Sequence, residues 1–212
     1  MKKLSARWVP HLLTVDHKRD RVTISKQCLE MFQRNPDEFL RRFITVDETW
    51  IHYFTPETKN SQNNEPAPKK AKTMKSAGKV MATVFWDARG IVHIDYLPSK
   101  HSIDGDYYAA LLDRFNNILK KKRPHLAKKK VLFHQDNARV HTCLTPMAKF
   151  NEFRYELLPH PAYSPDLVPC DNFLFPNLEK WFGGKRFTTR EQLIAEAETY
   201  FEGWTNHIIR MA

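Results

Sequence analysis

A strand-like segment with an aspartate at its centre constrains this chain more than any other feature. Residues 43–54 read FITVDETWIHYF, a run of β-branched and aromatic side chains that ends before Pro56 and predicts a long β-strand. Asp47 stands in the middle of that apolar run. Burying an ionised carboxylate is costly unless the group is paired or binds a metal ion. The fold must therefore bring to Asp47 either a salt-bridging partner or a ligand.

The segments that follow predict a mixed α/β fold. Residues 80–86 and 91–97 are rich in strand-forming residues and flank the turn Asp87–Gly90, so they form an antiparallel hairpin beside the first strand. Apolar residues at helical spacing predict a helix over 102–122, with Ser102 as its N-cap. The remaining predicted elements are a buried strand at 131–136, a helix at 142–153, a strand at 155–158, and helices at 171–182 and 189–204. This order is that of an α/β fold with a mixed five-stranded sheet and flanking helices.

The chain divides into an arm and one domain. Residues 1–40 are a basic segment followed by a helical pattern that includes Val22 and Phe32 and ends at Asn35-Pro36. We interpret this part as a linker arm and helix. Residues 41–212 are predicted to be a single domain, which is large enough to bury its own core.

The charge balance favours a polyanionic partner. The chain has 34 Lys and Arg residues against 24 Asp and Glu residues, a formal net charge of +10, which favours nucleic acid over an anionic membrane. A basic protein without such a partner is the alternative. The side chains predicted to contact DNA are Lys69, Lys70, Lys72, Lys75, Lys120, Lys121, Lys122, Arg123, Arg139 and His141. For the lysines, a solvated surface is the competing interpretation.

The cysteine and apolar patterns exclude several protein classes. Cys28, Cys143 and Cys170 are too few and too scattered for a disulfide framework, and they form no CxxC pair that would indicate a zinc site. We therefore expect a reducing, intracellular compartment. No apolar run is long enough for a membrane span, and residues 1–9 lack the apolar core of a signal peptide. The expected protein is soluble and does not bind membranes.

Three aspartates occupy positions that a ribonuclease H-like fold would bring together. Asp47 lies in the first strand, Asp136 at the end of the fourth strand, and Asp171 at the start of a helix. Each has a structural alternative: an ion pair for Asp47, a turn residue for Asp136, and a helix N-cap for Asp171. Only the combination is specific. Clustered carboxylates are the ligands that Mg²⁺ and Mn²⁺ prefer, and two such ions stabilise the attacking and leaving oxygens in phosphoryl transfer.

The histidines and aromatic residues of these strands have two interpretations each. His134 and His141 flank Asp136, and a structural role is favoured over contact with DNA or phosphate. The aromatic residues in apolar strand patterns are predicted to pack in the core rather than to stack on bases. They are Trp50, Phe85, Trp86 and Phe133.

Long motifs at fixed spacing show a resemblance to a known family. Residues 134–142 read HQDNARVHT and residues 160–171 read HPAYSPDLVPCD, with 34 residues between Asp136 and Asp171. Residues 46–51 read VDETWI and residues 8–11 read WVPH. Together these motifs closely resemble mariner-type DNA transposases, a family also found fused to SET methyltransferase domains. The likeness extends from about Trp8 to about Phe201.

The resemblance implies that residues 41–212 are the ribonuclease H-like catalytic domain of a metal-dependent DNA transposase or endonuclease. In this family water and then a DNA 3′-hydroxyl attack phosphodiesters at the transposon ends, and Asp47, Asp136 and Asp171 would ligate Mg²⁺ or Mn²⁺. The implied partners are double-stranded DNA, as inverted-repeat ends and as target, and a second copy in a homodimer. The loop 163–165 would support such partner contacts through Tyr163, Ser164 and Pro165. The implied location is the nucleus.

Departures from the family pattern keep a second interpretation open. The helix-turn-helix modules of full-length members do not precede the WVPH motif, and the loop 59–66 is shorter and lacks an expected tryptophan. The pattern is lost after Phe201, which indicates a C-terminally truncated domain. The alternative function is therefore a non-catalytic DNA-binding or interaction module, a decayed or domesticated transposase remnant. A ribonuclease H-type hydrolase of RNA–DNA hybrids ranks last, because it shares the carboxylates but not the long motifs.

Overall fold

The computed structural model describes residues 12–56 and 78–211. The WVPH motif, the shortened loop 59–66 and the predicted DNA contacts Lys69, Lys70, Lys72 and Lys75 lie outside these ranges. The helices are α1 (Val15–Arg34), α2 (Pro36–Arg42), α3 (Gly105–Lys122), α4 (Arg139–Thr142), α5 (Leu144–Phe153), α6 (Phe175–Phe182) and α7 (Arg190–Met211). The strands are β1 (Phe43–His52), β2 (Lys79–Asp87), β3 (Gly90–Tyr96), β4 (Leu132–His134) and β5 (Glu156–Leu157). Short helical turns at Pro124–Lys128, Pro165–Leu167 and Cys170–Leu174 connect them.

The five strands form one mixed sheet in the order β3-β2-β1-β4-β5. Strands β1, β2 and β3 are antiparallel neighbours, whereas β4 pairs parallel with both β1 and β5. The predicted mixed five-stranded α/β sheet is thereby confirmed. Strand β1 is central, so an aspartate on it lies within reach of segments that leave the sheet on either side.

Each face of the sheet is covered by its own hydrophobic cluster, because alternate side chains of a strand point to opposite faces. On one face Ile51 and Val84 pack with residues of α6 and α7. On the other face Val46 and Phe85 pack with α3 and α5, and the rings of Phe85 and Phe115 stack at 4.2 Å. The sheet is therefore the middle layer of three and gives β1 a rigid position.

The first two helices meet at a single asparagine. Helix α1 ends at Arg34, as the Asn35-Pro36 signal predicts, but Asn35 also caps a second helix that was not predicted. Its side chain accepts a hydrogen bond of 3.0 Å from the backbone N–H of Glu38, and Pro36 begins α2. Pro at the first position of a helix is favourable because its missing N–H has no intrahelical partner there. The same dipeptide thus ends one helix and starts the next.

The N-cap of α3 differs from the prediction. Helix α3 begins at Gly105, and Asp104 caps it by accepting a hydrogen bond of 2.8 Å from the backbone N–H of Tyr107. Ser102 lies before the helix, so the predicted cap at Ser102 is wrong. The Asp104 carboxylate carries a full negative charge next to the positive end of the helix dipole, which favours it as a cap.

Replacing Asp104 by alanine should lower the free energy of unfolding by about 1 kcal/mol, the usual contribution of an N-cap. Urea denaturation followed by circular dichroism measures this change. The matched control is Ser102→Ala, which should leave the midpoint unchanged. A larger loss for Ser102→Ala than for Asp104→Ala would contradict the observed cap.

Among the helices described for this chain, none is long and apolar enough to cross a membrane.

Candidate active site

Asp47 lies at the middle of β1 opposite Val84 of β2. Its Oδ1 accepts a hydrogen bond of 2.7 Å from the backbone N–H of Glu48. The carboxyl group is partly buried at the centre of the sheet, and no cation pairs with it among the described ion pairs. The salt-bridge alternative for Asp47 is therefore not supported.

Asp171 reaches Asp47 through a π-helical turn, Cys170–Leu174, that precedes α6. Cys170 is buried against the sheet, where its sulfur accepts a hydrogen bond of 3.2 Å from the indole N–H of Trp86. The next residue, Asp171, is thereby held beside β1, where its carboxylate accepts a hydrogen bond from the Asp47 carboxyl group. Asp171 lies within the turn and caps no helix, so the N-cap alternative is wrong.

Asp136 lies two residues beyond the end of β4 and shapes the turn that leads into α4. Its Oδ1 accepts hydrogen bonds of 2.9 Å from the Ala138 backbone N–H and of 2.6 Å from Nδ1 of His141. The turn interpretation is therefore correct for this residue, and it coexists with proximity to the other two acids. The charge of Asp136 is one of those that raise the pKa of Asp47.

The electrostatics of the three carboxyl groups differ strongly. Burial, reinforced by the nearby charges of Asp171, Glu48 and Asp136, raises the pKa of Asp47 to about 8. Burial also raises the pKa of Asp171, although the hydrogen bond from Asp47 opposes that shift. Burial would raise the pKa of Asp136 as well, but the hydrogen bonds from His141 and Ala138 outweigh it and lower the pKa. Neighbouring carboxyl groups with raised pKa values tend to hold a proton. A cation that binds there would displace that proton.

The donors suit a hard divalent cation, although they do not surround one point. The three groups offer only carboxylate oxygens, the ligand type that Mg²⁺ and Mn²⁺ select. In the part of the chain that the structure describes, no three His, Cys, Asp or Glu side chains are arranged to hold one ion. Asp47 is hydrogen-bonded to Asp171, while Asp136 is bonded to His141, so the three carboxyl groups have different partners.

Comparison with known proteins identifies the family. A family model described as "Transposase (partial DDE domain)" matches residues 56–129. Human histone-lysine N-methyltransferase SETMAR is 38% identical over 207 residues, which cover 95% of this chain and 29% of the relative. The mariner Mos1 transposase of Drosophila mauritiana is 32% identical over 199 residues, which cover 92% of this chain and 57% of the relative. The chain belongs to the mariner-type transposases.

Solved structures agree with this assignment. The mariner Mos1 paired end complex with Mn superposes with a TM-score of 0.82 at 31% identity, covering 95% of this chain and 59% of that chain. Other solved structures of Mos1 are described as a paired end complex with Mg and as a complex with the left transposon end. The predicted ribonuclease H-like fold is confirmed. The chain spans less than three fifths of the length of the curated relatives named above.

A fourth acid of this mariner-type domain, Glu48, was not singled out by the sequence patterns. It follows Asp47 on β1 and points to the opposite face of the sheet, where its Oε1 lies 3.4 Å from Nε2 of His141. Burial would lower the pKa of His141, but the carboxylates of Asp136 and Glu48 raise it to about 9. The only signal in the sequence is the adjacency of two acids in VDETW, which is too common to be informative alone.

Two of the residues predicted to contact DNA, His141 and Arg123, face protein carboxylates instead. His141 is 2% exposed and faces protein carboxylates, so the predicted DNA contact is not supported and the structural interpretation holds. Arg123 donates two hydrogen bonds to Asp87, which occupies its guanidinium. Arg139 is exposed just after Asp136. The lysines 120–122 are exposed at the far end of α3, about 18 Å along the helix axis from Tyr108, which contacts His141.

The aromatic predictions were partly wrong. Phe85 and Phe133 are fully buried, as expected, and Trp86 is partly buried with its indole N–H bonded to Cys170. Trp50 is 42% exposed, and the Lys79 ammonium lies 3.7 Å from its ring centroid. The pattern of a strand shows on which face a side chain lies but not whether that face is covered at that position, so the apolar pattern did not predict the exposure of Trp50. Trp50 is therefore a surface residue.

In the proline-rich loop, Ser164 is buried and donates to the Ala162 carbonyl oxygen, whereas Tyr163 is 57% exposed. The predicted partner contact stays a prediction for Tyr163, whose ring is accessible at the surface. It is not supported for Ser164, which is buried. Neighbouring Asp166 accepts two hydrogen bonds, of 2.8 and 2.6 Å, from the Arg21 guanidinium on α1. This contact ties the N-terminal helix to the loop between the second and third aspartates.

Proposed function

We propose that this chain is the catalytic domain of a DNA transposase that cleaves and transfers DNA phosphodiesters at transposon ends. The observation that supports the proposal is that Asp47 on the central strand is close enough to Asp171 in the π-helical turn and to Asp136 in the turn after β4 for their charges to raise its pKa. Their charges interact although 34 residues separate the second from the third. A purely structural role would not need three neighbouring acids in a place where burial, reinforced by their repulsion, raises the pKa values of two of them.

The same three aspartates are proposed to hold Mg²⁺ or Mn²⁺. When bound, such ions neutralise the charge that develops on the attacking and leaving oxygens of the phosphodiester. The raised pKa values of Asp47 and Asp171 mean that a cation would compete with a proton at these two groups, which β1 and the π-helical turn hold in place. At Asp136 there is no such competition, because the lowered pKa keeps it ionised at neutral pH.

The proposed partners follow from charge and from the relatives. The net charge of +10 favours DNA, and the exposed Arg139 close to Asp136 is positioned to meet a phosphate. Solved Mos1 complexes contain transposon ends, which supports inverted-repeat ends as the substrate class here. A homodimer around two DNA ends and a nuclear location are part of the same proposal.

Nicking of supercoiled plasmid in the presence of Mn²⁺ tests the function. The unaltered protein should nick the plasmid only when Mn²⁺ is present, and Asp136→Ala should lose this activity. The matched control is Asp37→Ala on α2, an exposed aspartate outside the site, which should nick normally. An RNA–DNA hybrid included as a second substrate distinguishes a transposase from a ribonuclease H-type hydrolase.

A non-catalytic DNA-binding module remains the second candidate. One observation favours it: the described acids do not surround a single point for an ion. Equal nicking by the unaltered protein and Asp136→Ala, or none by either, would favour this candidate over the enzyme. Salt-dependent DNA binding without nicking would then be its positive signature.

A further inference from the structure

Only one oxygen of Asp136 accepts the hydrogen bonds that the described residues donate to this carboxylate. Both described hydrogen bonds to this carboxylate, from the Ala138 N–H and from His141, end on Oδ1. The side chain is 42% exposed, so Oδ2 is the oxygen that a cation can reach. An unrestrained aspartate would rotate and present either oxygen in several directions, which weakens a site that needs fixed ligand directions.

The imidazole of His141 is itself fixed from three sides. The Tyr108 ring packs on it with centroids 4.2 Å apart. Nε2 of His141 and Oε1 of Glu48 face each other at 3.4 Å, and neither atom has a hydrogen-bond partner among the described residues. The Tyr108 hydroxyl donates to Oε1 of Gln135 at 2.7 Å, and Nε2 of Gln135 donates to the backbone carbonyl of His141 at 3.4 Å.

The residues around His141 form a network of polar groups that are buried inside the domain. His141 is 2% exposed, Gln135 6% and Tyr108 0%. Polar groups buried in an apolar layer are costly unless they bond to one another, and a bonded set admits only one arrangement. The network therefore transmits the rigidity of α3 and β1 to the Asp136 carboxylate.

We propose that His141 is the positioning residue of Asp136, and that it fixes Oδ2 as the oxygen presented to a divalent cation. Glu48 and Tyr108 hold the imidazole in the orientation that this bond needs. The inference rests on the proposed metal-dependent function and adds a residue to it that contacts neither the cation nor DNA. Groups that orient metal ligands in this way typically change metal affinity or activity by 10- to 100-fold when they are removed.

Mn²⁺ binding in the absence of DNA tests the inference, with the free ion measured by electron paramagnetic resonance. His141→Leu keeps the ring volume approximately but removes the donor, and it should raise the Kd for Mn²⁺ by about 10- to 100-fold. His141→Asn places an amide N–H close to the position of Nδ1 and should restore most of the affinity. Tyr108→Phe keeps the ring packing and removes only the hydroxyl, so a few-fold rise in Kd is expected.

The control is His93→Leu, which removes a partly buried histidine stacked on Phe85 at the far side of β2 and should leave Mn²⁺ binding unchanged. Folding of each variant is checked by circular dichroism. If His141→Leu does not fold, the Kd values of the other two variants still test the inference. Tyr108→Phe should bind Mn²⁺ a few-fold more weakly than the unaltered protein, and His141→Asn should bind it nearly as tightly. A folded His141→Leu variant that binds Mn²⁺ as tightly as the unaltered protein would overturn the inference, and so would an unchanged Kd of Tyr108→Phe where His141→Leu does not fold.

Failure of the inference is distinguishable from failure of the proposed function. Asp136→Asn in the same assay reports on the metal site itself. If the unaltered protein binds Mn²⁺ and Asp136→Asn does not, the site exists and the His141 variants test only the positioning role. If Asp136→Asn binds as tightly as the unaltered protein, the proposed metal site is wrong and the positioning role is overturned with it.

Discussion

Replacing Asp47 by asparagine is expected to stabilise the metal-free chain and, at the same time, to abolish its Mn²⁺-dependent nicking of DNA. Asp47 is buried beside Asp171, Glu48 and Asp136, and this environment raises its pKa to about 8. Asparagine has the same shape, carries no charge, and can donate from its amide to Asp171 as the protonated Asp47 does. The variant therefore removes repulsion and keeps the hydrogen bond, but it loses a proposed metal ligand.

The stabilisation should depend on pH in a defined direction. An unfolded aspartate titrates near pH 4, whereas folded Asp47 titrates at about 8. The stability that this group contributes is therefore fully present below about pH 4 and is lost as the pH rises through about 8. The unaltered protein should lose stability between pH 5 and pH 8, and Asp47→Asn should lose less. The expected result is a smaller loss of stability for Asp47→Asn than for the unaltered protein between the two pH values, and urea denaturation at pH 5 and pH 8 measures it.

Mn²⁺ provides a second arm of this experiment. Saturating Mn²⁺ should raise the midpoint of the unaltered protein, because an ion that binds only the folded state stabilises it, and should affect Asp47→Asn much less. Asp37→Asn on α2 is the control for removal of one negative charge and should show neither effect. A variant at Asp47 that is less stable than the unaltered protein at pH 8 would show that the charge of Asp47 is favourably paired.

Regular elements of this fold were predictable because their patterns are local. The strands around residues 43–54 and 80–97 and the long helix after residue 102 follow from periodicity, and the structure has them within a few residues. Helix α2 was missed because seven residues are too short for a periodic signal. The exposure of Trp50 was missed for a different reason: the pattern of a strand records its two faces but not where each face is covered.

The sequence motifs were sufficient to select the three aspartates, but they did not predict the contacts that these residues make. Asp171 looked like an N-cap, since a helix does follow it, and the π-helical turn that replaces the first turn depends on Cys170 packing against Trp86. The role of Glu48 depends on His141, which lies 93 positions further along the chain and reaches it only after α3 and α4 have packed. Such contacts are properties of the assembled tertiary structure.

Breaking the ion pair between Arg123 and Asp87 by removing only the arginine should cost this domain a large part of its stability. Arg123 follows α3, and Asp87 ends β2, with side chains 14% and 5% exposed. Two hydrogen bonds, of 2.6 and 3.1 Å, join the guanidinium to both carboxylate oxygens. Arg123→Met leaves the Asp87 charge buried without its partner, so a loss of about 3–5 kcal/mol in the free energy of unfolding is expected. Urea denaturation and the melting temperature measure it.

Two further variants distinguish the loss of this ion pair from the general effect on stability of removing a positive charge. Arg19→Met removes an arginine whose ion pair with Asp16 is solvent-exposed on both sides, and its effect should be close to zero. Adding Asp87→Asn to Arg123→Met removes the orphaned charge while the side-chain oxygen can still accept from the Arg89 N–H, so the double variant should recover most of the loss. The cost of Arg123→Met lies mainly in the charge left behind, because a buried carboxylate without a partner pays the full penalty of lost hydration. Equal stability of Arg123→Met and Arg19→Met would show that Asp87 finds water or another partner when the guanidinium is gone.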